Sequence, residues 1–165
     1  MDKKIKNPDE ILLDLCQAFN KFSAEYVLVG GFAMIIHGFN RTTSDIDFFV
    51  NPEPQNVDKI KKALFEVFQD TSINEIESHD ISEYAVIRYG TPYDFYIDFI
   101  GQLGESITYN DVKDDVEIFE IENTEIRVCG IQNLIKMKQT VRLKDKMDLE
   151  FLKQKMSIVK LTQTC

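Results

Sequence analysis

The chain has 165 residues, of which 44% are apolar and 28% are charged. A chain of this length and composition buries one hydrophobic core, so we predict a single domain over residues 1–165. The longest mostly apolar stretch, 26–36, contains two glycines and is far shorter than a membrane span. The three cysteines are far apart in the sequence, which argues against a disulfide framework and against a zinc site. We therefore expect a soluble, cytoplasmic protein that does not bind membranes.

Acidic and basic residues are unevenly distributed along the chain. The net charge of -9 argues against a surface coated with basic residues for nucleic acid. Residues 1–135 carry 11 basic and 25 acidic side chains, whereas residues 136–160 carry 8 basic and 3 acidic ones. The basic segment either contacts phosphate groups of a ligand or forms a solvated, lysine-rich helix, and charge alone does not separate these interpretations.

The first part of the chain predicts helices and strands in alternation. The residues NPDE at 7–10 are typical of a helix start, and apolar residues at helical spacing extend that helix to about residue 22. A short apolar strand at 26–29 runs into the glycine pair Gly30-Gly31 and a short helix. The alternating stretch 45–50 is a second strand, which ends at an Asn-Pro pair.

The rest of the chain predicts one helix, four strands and a C-terminal helical segment, at about 57–68, 84–89, 95–100, 116–121, 125–129 and 132–156. The last two strands are separated by a three-residue turn, which predicts a hairpin. The C-terminal helical pattern weakens near Thr140. This arrangement predicts an α+β or mixed α/β domain, with helices packed on one small mixed sheet.

Two aspartates stand two residues apart in the second strand. Because side chains alternate along a strand, Asp45 and Asp47 leave the same face, about 6.5 to 7 Å apart, while Ile46 and Phe48 point to the opposite layer. Two carboxylates so placed repel each other unless a cation intervenes, and Mg²⁺ takes oxygen ligands of this kind. Acids at this spacing also occur where a strand merely ends in solvent, so the choice depends on what surrounds them.

A glycine pair precedes these acids. Gly30-Gly31 ends the first strand and opens a helix, where backbone N–H groups can bind phosphate oxygens and where glycine lets a phosphate approach closely. The other interpretation of the pair is a tight turn with no ligand.

The glycine pair, the short helix after it and the strand with two aspartates together resemble the signature of polymerase-β-like nucleotidyltransferases. Residues 41–47, RTTSDID, are similar to the R-x-T-x-D-x-D form of AbiEii-type and related minimal bacterial nucleotidyltransferases. Residues 133–138 and 142–149 resemble the C-terminal LIxMK and RxKDxxDL segments of that group. The resemblance touches residues 26–50 and 131–152, and it implies the nucleotidyltransferase fold.

In this superfamily a third carboxylate comes from a neighbouring strand, and Asp98 matches it. An acid within an apolar strand is costly to bury unless it is paired or bound to a metal. Asp94 is the alternative, although it lies nearer a turn, and for either acid an ion pair with Arg88 is the purely structural interpretation. The resemblance implies that Asp45, Asp47 and Asp98 hold two Mg²⁺ ions and form the catalytic site.

The basic segment at about 131–156 contributes candidate phosphate ligands. On a continuous helix, Lys138, Arg142 and Asp145 fall within about 60° of one another, beside the apolar stripe. The resemblance implies that Lys138 binds the triphosphate, with Arg142 and Asp145 beside it and the glycine pair on the other side. Arg41 either reaches a phosphate or anchors the loop before the second strand. An ion pair between Lys138 and Asp145 is the structural alternative.

The resemblance implies transfer of a nucleoside monophosphate from an NTP to an acceptor hydroxyl, with release of pyrophosphate. AbiEii-type relatives modify tRNA ends as toxins, other minimal relatives modify a partner protein as antitoxins, and aminoglycoside or lincosamide enzymes modify drugs. An RNA end, a protein and a small molecule are therefore all open as acceptors. A catalytically silent antitoxin or interaction module is the alternative, but the chain retains all three carboxylates and both glycines. A two-metal nuclease would not need the glycine turn.

Overall fold

The computed structural model describes residues 6–84, 86–104, 107–139 and 143–163, and within the last of these ranges the side chains of 146–158. Its α-helices are α1 (Pro8–Lys21), α2 (Gly30–Ile36), α3 (Pro54–Phe68), α4 (Ser78–Tyr84), α5 (Tyr109–Val112), α6 (Ile131–Met137) and α7 (Leu143–Gln163). Its strands are β1 (Tyr26–Val29), β2 (Ile46–Val50), β3 (Val86–Gly90), β4 (Tyr96–Ile100), β5 (Gln102–Leu103), β6 (Ile107–Thr108), β7 (Val116–Ile121) and β8 (Thr124–Cys129). The predicted mixed α/β class is confirmed.

Six strands form one mixed sheet in the order β3-β4-β2-β1-β8-β7, while β5 and β6 pair separately. Strand β2 runs antiparallel to β1 and parallel to β4, and β3 closes the edge antiparallel to β4. In this register Asp47 lies opposite Asp98, and Asp98 lies opposite Arg88. The two strands predicted to carry acids are therefore neighbours in the sheet.

The hydrophobic core lies on the face of these strands that is turned away from Asp47 and Asp98. Phe48 on β2 packs edge-on against Phe19 of α1, with ring centroids 5.1 Å apart, and lies 6.1 Å from the ring of Phe99 on β4. On the same face, Phe68 of α3 contacts Tyr89 of β3. Because side chains alternate along a strand, this packing directs Asp47 and Asp98 to the other face.

Several predicted boundaries differ from the structure. The strand predicted at 84–89 begins at Val86, because Tyr84 ends helix α4. This helix was not predicted, since it is short and has one buried residue, so its sequence shows no helical spacing of apolar residues. The C-terminal segment, whose helical pattern weakens near Thr140, forms two helices, since α6 ends at Met137 and α7 begins at Leu143. Thr140 and Arg142 lie outside the described residues.

The predicted hairpin is present, with a shorter turn than expected. Strand β8 begins at Thr124, so only Glu122 and Asn123 connect it to β7. Both residues have positive φ angles, 48° and 65°, as a two-residue hairpin turn of the primed type requires. Among the described helices, none is long and apolar enough to cross a membrane.

Candidate active site

A polar cavity of about 520 Å³ opens where β2 and β4 begin. It is lined by the three predicted carboxylates, by basic residues and by small polar ones: Gly31, Arg41, Thr42, Thr43, Ser44, Asp45, Asp47, Arg88, Asp98 and Lys138. Asp94 is not in this lining; it lies in the exposed turn before β4 with a φ of 64°. The structure thus brings Asp98, rather than Asp94, to the cavity.

The carboxylates of Asp45, Asp47 and Asp98 converge on this cavity from adjacent strands. Asp45 immediately precedes β2, and its side chain is 36% exposed. Asp47 and Asp98 lie opposite each other in the parallel register, close enough that, in addition to burial, the charge of Asp98 raises the pKa of Asp47. Asp98 is buried, at 9% exposure. A buried pair of acids in contact is costly unless a proton or a cation lies between them.

Burial, followed by the neighbouring charge of Asp98, raises the pKa of Asp47 from 3.8 to about 7, and the charge of Lys138 opposes this shift. A carboxylate whose pKa is higher in the folded than in the unfolded protein destabilises the fold as pH rises through that interval. In EDTA, we expect the stability of Asp47→Asn relative to the parent to increase between about pH 4 and pH 7 and then level off. Denaturant melts across this range measure it, and a difference independent of pH would contradict it.

Both glycines are required by close contacts around the acids. A Cβ atom on Gly30, whose φ is +70°, would lie 2.1 Å from Oδ2 of Asp47. A Cβ atom on Gly31 would lie 2.6 Å from Oγ1 of Thr43. The pair therefore lets β2 and the loop before it pack directly against the start of α2. Gly31 also lines the cavity, whereas Gly30 does not.

Arg88, on edge strand β3, forms a bidentate ion pair with Asp98. Its Nε donates to Oδ1 of Asp98 at 2.9 Å, and its Nη2 donates to Oδ2 at 3.1 Å. Nη2 also lies 3.9 Å from Oδ2 of Asp45, and the guanidinium stacks on the ring of Tyr96 at 4.8 Å. The structural interpretation considered for Asp98, an ion pair with Arg88, is thus present in the structure.

A second charged cluster fixes the other wall of the cavity. The carboxylate of Asp148 on α7 is 1% exposed and accepts from Nη1 of Arg41 at 2.5 Å, with Nζ of Lys138 at 3.2 Å. Arg41 therefore anchors the loop before β2 to α7 as well as lining the cavity. Lys138 thus contacts Asp148, and the side chain of Asp145, the partner considered from the sequence, lies outside the described residues.

Asp148 was missed as a functional candidate in the sequence. The sequence does contain an indication of its role: Asp148 lies one helical turn before Leu152, on the same side of the helix as that buried residue. An acid in that position needs a cation beside it. The sequence alone does not show that these cations are Arg41 and Lys138.

The donor set of the cavity suits a hard divalent cation. Within the described residues, no group of three His, Cys, Asp or Glu side chains is arranged to hold a metal ion as it stands. Both oxygens of Asp98 accept from Arg88 in this structure. Mg²⁺ is commonly held by one or two carboxylates together with water and substrate phosphates, and Asp45 and Asp47 fit that role.

Solved structures share this fold at low sequence identity. The lincosamide antibiotic adenylyltransferase LnuA, bound to lincomycin, is 14% identical, with a TM-score of 0.55 over 89% of this chain and 97% of that chain. A Thermotoga maritima protein assigned as a nucleotidyltransferase is 11% identical, with a TM-score of 0.54 over 98% of both chains. JHP933 from Helicobacter pylori is 17% identical, with a TM-score of 0.50 over 92% of this chain and 67% of that chain.

Sequence comparison identifies the family. A search of curated proteins gives no match to the chain. Residues 13–129 match the family described as "Nucleotidyl transferase AbiEii toxin, Type IV TA system". This match includes the glycine pair and all three carboxylates of the cavity, and it ends before Lys138 and Asp148. The sequence-based assignment to the nucleotidyltransferases is confirmed: the chain belongs to the AbiEii family of nucleotidyltransferases.

Proposed function

We propose that this chain transfers a nucleoside monophosphate from an NTP to an acceptor hydroxyl with the help of Mg²⁺, and that Asp45, Asp47 and Asp98 are its catalytic carboxylates. The observation that carries the proposal is one cavity with acids on the β2–β4 wall and the basic pair Arg41 and Lys138 on the other wall. Acids suit a divalent cation, and a basic wall suits the phosphates that the cation bridges.

Each side chain has a separate task in this proposal. Asp45 and Asp47 would hold two Mg²⁺ ions, which, when bound, supply neutralisation of the charge that develops on the phosphates. Asp98 would be a further ligand of one cation, or the acceptor of the proton that the hydroxyl loses as its oxygen attacks the α-phosphorus. Lys138 binds the departing pyrophosphate oxygens. Gly31 lines the cavity, where its lack of a side chain lets a phosphate approach the backbone closely.

Nucleotide binding should depend on the divalent cation. We expect an NTP with Mg²⁺ to raise the melting temperature by about 5 to 10 °C at a hundredfold excess over Kd. EDTA should remove most of this shift, because the triphosphate reaches the acids only through the cation. Differential scanning fluorimetry measures both, and a shift fully retained in EDTA would exclude a metal-bridged site.

Lys138→Ala should weaken nucleotide binding more than it weakens folding. Asp148 keeps its contact with Arg41 at 2.5 Å, so removal of Lys138 does not leave Asp148 unpaired. A charge-assisted contact to a phosphate contributes about 1.5 to 3 kcal/mol, which is roughly a ten- to hundredfold loss of affinity. Calorimetry with a non-hydrolysable NTP and denaturant melts separate the two effects.

Lys136→Ala is the matched control, because Lys136 is an exposed lysine on α6, two residues before Lys138 and outside the cavity lining. It should bind the analogue as the parent does. Unchanged affinity in Lys138→Ala, with a stability loss that Asp148→Asn restores, would mean that Lys138 serves only the ion pair.

The acceptor is identified by the class of molecule that takes up label from the NTP. We expect an α-labelled NTP to mark one of three pools when total RNA, a cell lysate and candidate drugs are offered: an RNA end, a protein or a small molecule. A toxin of this family acting on RNA ends would mark the first, and an antitoxin acting on a partner protein the second.

A catalytically silent antitoxin or interaction module is the second candidate. One observation favours it: both oxygens of Asp98 are already engaged by Arg88. Label in none of the pools, with NTP binding retained, would support this candidate.

A further inference from the structure

We propose that Arg88 is a removable counter-ion of the carboxylate cluster: it occupies Asp98 in the cation-free protein, must leave for a divalent cation to bind there, and thereby sets the cation affinity. This inference rests on the metal role proposed for Asp45, Asp47 and Asp98.

Arg88 and a cation would compete for the same atoms. Both oxygens of Asp98 accept from the guanidinium, at 2.9 and 3.1 Å, and the same group reaches to 3.9 Å from Asp45. A divalent cation on Asp98 would therefore lie within a few ångströms of a positive charge that is never deprotonated. Arg88 and the cation cannot both bind the two oxygens of Asp98, so the cation binds by replacing Arg88.

The position of Arg88 allows it to leave. Its side chain is 55% exposed and belongs to the edge strand of the sheet. The ring of Tyr96, itself 48% exposed, already lies 4.8 Å from the guanidinium and remains as a partner after Asp98 is released.

Arg41, the other arginine of the cavity, behaves differently. Its side chain is 9% exposed and is paired with a carboxylate that is 1% exposed. Breaking that pair would leave a buried charge without a partner. Within the described cavity lining, Arg41 is thus fixed and Arg88 is movable.

The contact also stabilises the cation-free protein. Asp45, Asp47 and Asp98 carry like charges around one cavity, and Arg88 supplies a positive charge 3.9 Å from Asp45 and 2.9 Å from Asp98. Loss of Arg88 should therefore have two opposite effects: a less stable protein in EDTA and a tighter cation site. A residue that merely orients Asp98 would lower the stability and weaken cation binding together.

The test measures Mn²⁺ binding without nucleotide, by calorimetry and electron paramagnetic resonance, because Mn²⁺ takes the same oxygen ligands as Mg²⁺. We expect Arg88→Met to bind Mn²⁺ about ten- to a hundredfold more tightly than the parent. It should melt at a lower temperature in EDTA and gain more than the parent from Mn²⁺. Arg88→Lys keeps the charge and should stay within a few-fold of the parent.

Two further variants keep the test decisive. Arg127→Met makes the same change on β8, outside the cavity lining, and should bind Mn²⁺ as the parent does. Arg88→Gln removes the charge but retains a donor for Asp98, so it replaces Arg88→Met if that variant does not fold in EDTA.

Equal or weaker Mn²⁺ binding in the folded, uncharged Arg88 variant would overturn the inference about Arg88. That outcome leaves the proposed function standing if Asp47→Asn still abolishes Mn²⁺ binding. Parent-like Mn²⁺ binding in Asp47→Asn would instead overturn the metal site, and with it both proposals.

Discussion

Asp47→Asn is expected to lower nucleotidyl transfer by about a thousandfold or more while the protein stays folded. The substitution removes a proposed ligand of the cation, which contributes several kcal/mol to the transition state, and each 1.4 kcal/mol corresponds to about tenfold in rate. It also removes a charge that is buried beside Asp98, so stability in EDTA should be unchanged or higher. Rates with labelled NTP and melts in EDTA measure the two effects.

Asp94→Asn is the matched control for this substitution. Asp94 is exposed in a turn with a φ of 64°, a conformation that asparagine tolerates well. Its activity should equal that of the parent, whereas Asp45→Asn and Asp98→Asn should both be strongly impaired. Activity of Asp47→Asn within a few-fold of the parent would remove the carboxylates from the mechanism.

Gly30→Ala should abolish activity and destabilise the protein. The new Cβ atom would lie 2.1 Å from Oδ2 of Asp47, so the carboxylate must move from its place opposite Asp98. The positive φ of +70° adds a backbone cost of about 1 to 2 kcal/mol for a residue with a side chain. Denaturant melts and transfer rates of the variant measure the combined effect.

Gly104→Ala separates the backbone cost from the contact with Asp47. Gly104 has a similar φ of +63°, but a Cβ atom there would have nothing within 4 Å. We expect Gly104→Ala to be less stable than the parent by the backbone cost alone and to keep full activity. Equal stability losses in the two variants, with activity retained in both, would show that Asp47 tolerates the added methyl group.

Local patterns in the sequence were sufficient for many elements of the fold. The cap and proline at 7–10 set the start of α1, where Asn7 accepts from the backbone N–H of Glu10 at 2.9 Å. Strand β1 was predicted with its observed bounds, Tyr26–Val29. The order of strands in the sheet was not predictable, because the parallel pairing of β2 with β4 joins segments far apart in the chain.

The acidic residues of the site could also be predicted from the sequence. Asp45 and Asp47 share a strand face by period alone, and Asp98 stood out as an acid among apolar strand residues. The placement of these residues in one cavity agrees with that expectation, and their catalytic roles remain proposals.

The basic half was harder to predict, because its contacts are long-range. Arg41 and Asp148 are 107 residues apart in sequence, and nothing local in either segment indicates their ion pair. The predicted grouping of Lys138 with Arg142 and Asp145 assumed a continuous helix, whereas α6 ends at Met137. The break places Lys138 beyond the end of α6, where its Nζ lies 3.2 Å from Oδ2 of Asp148.

Transfer of label from an α-labelled NTP, measured in parallel for the parent, Asp47→Asn and Asp94→Asn, tests the central claim most directly. With Mg²⁺ and a pool of RNA, protein and small-molecule acceptors, we expect the parent and Asp94→Asn to incorporate label and release pyrophosphate. EDTA or Asp47→Asn should reduce both signals to the level of the blank. Label incorporation by Asp47→Asn at the parent's rate, or by the parent in EDTA, would contradict a cation-dependent transferase built on these carboxylates.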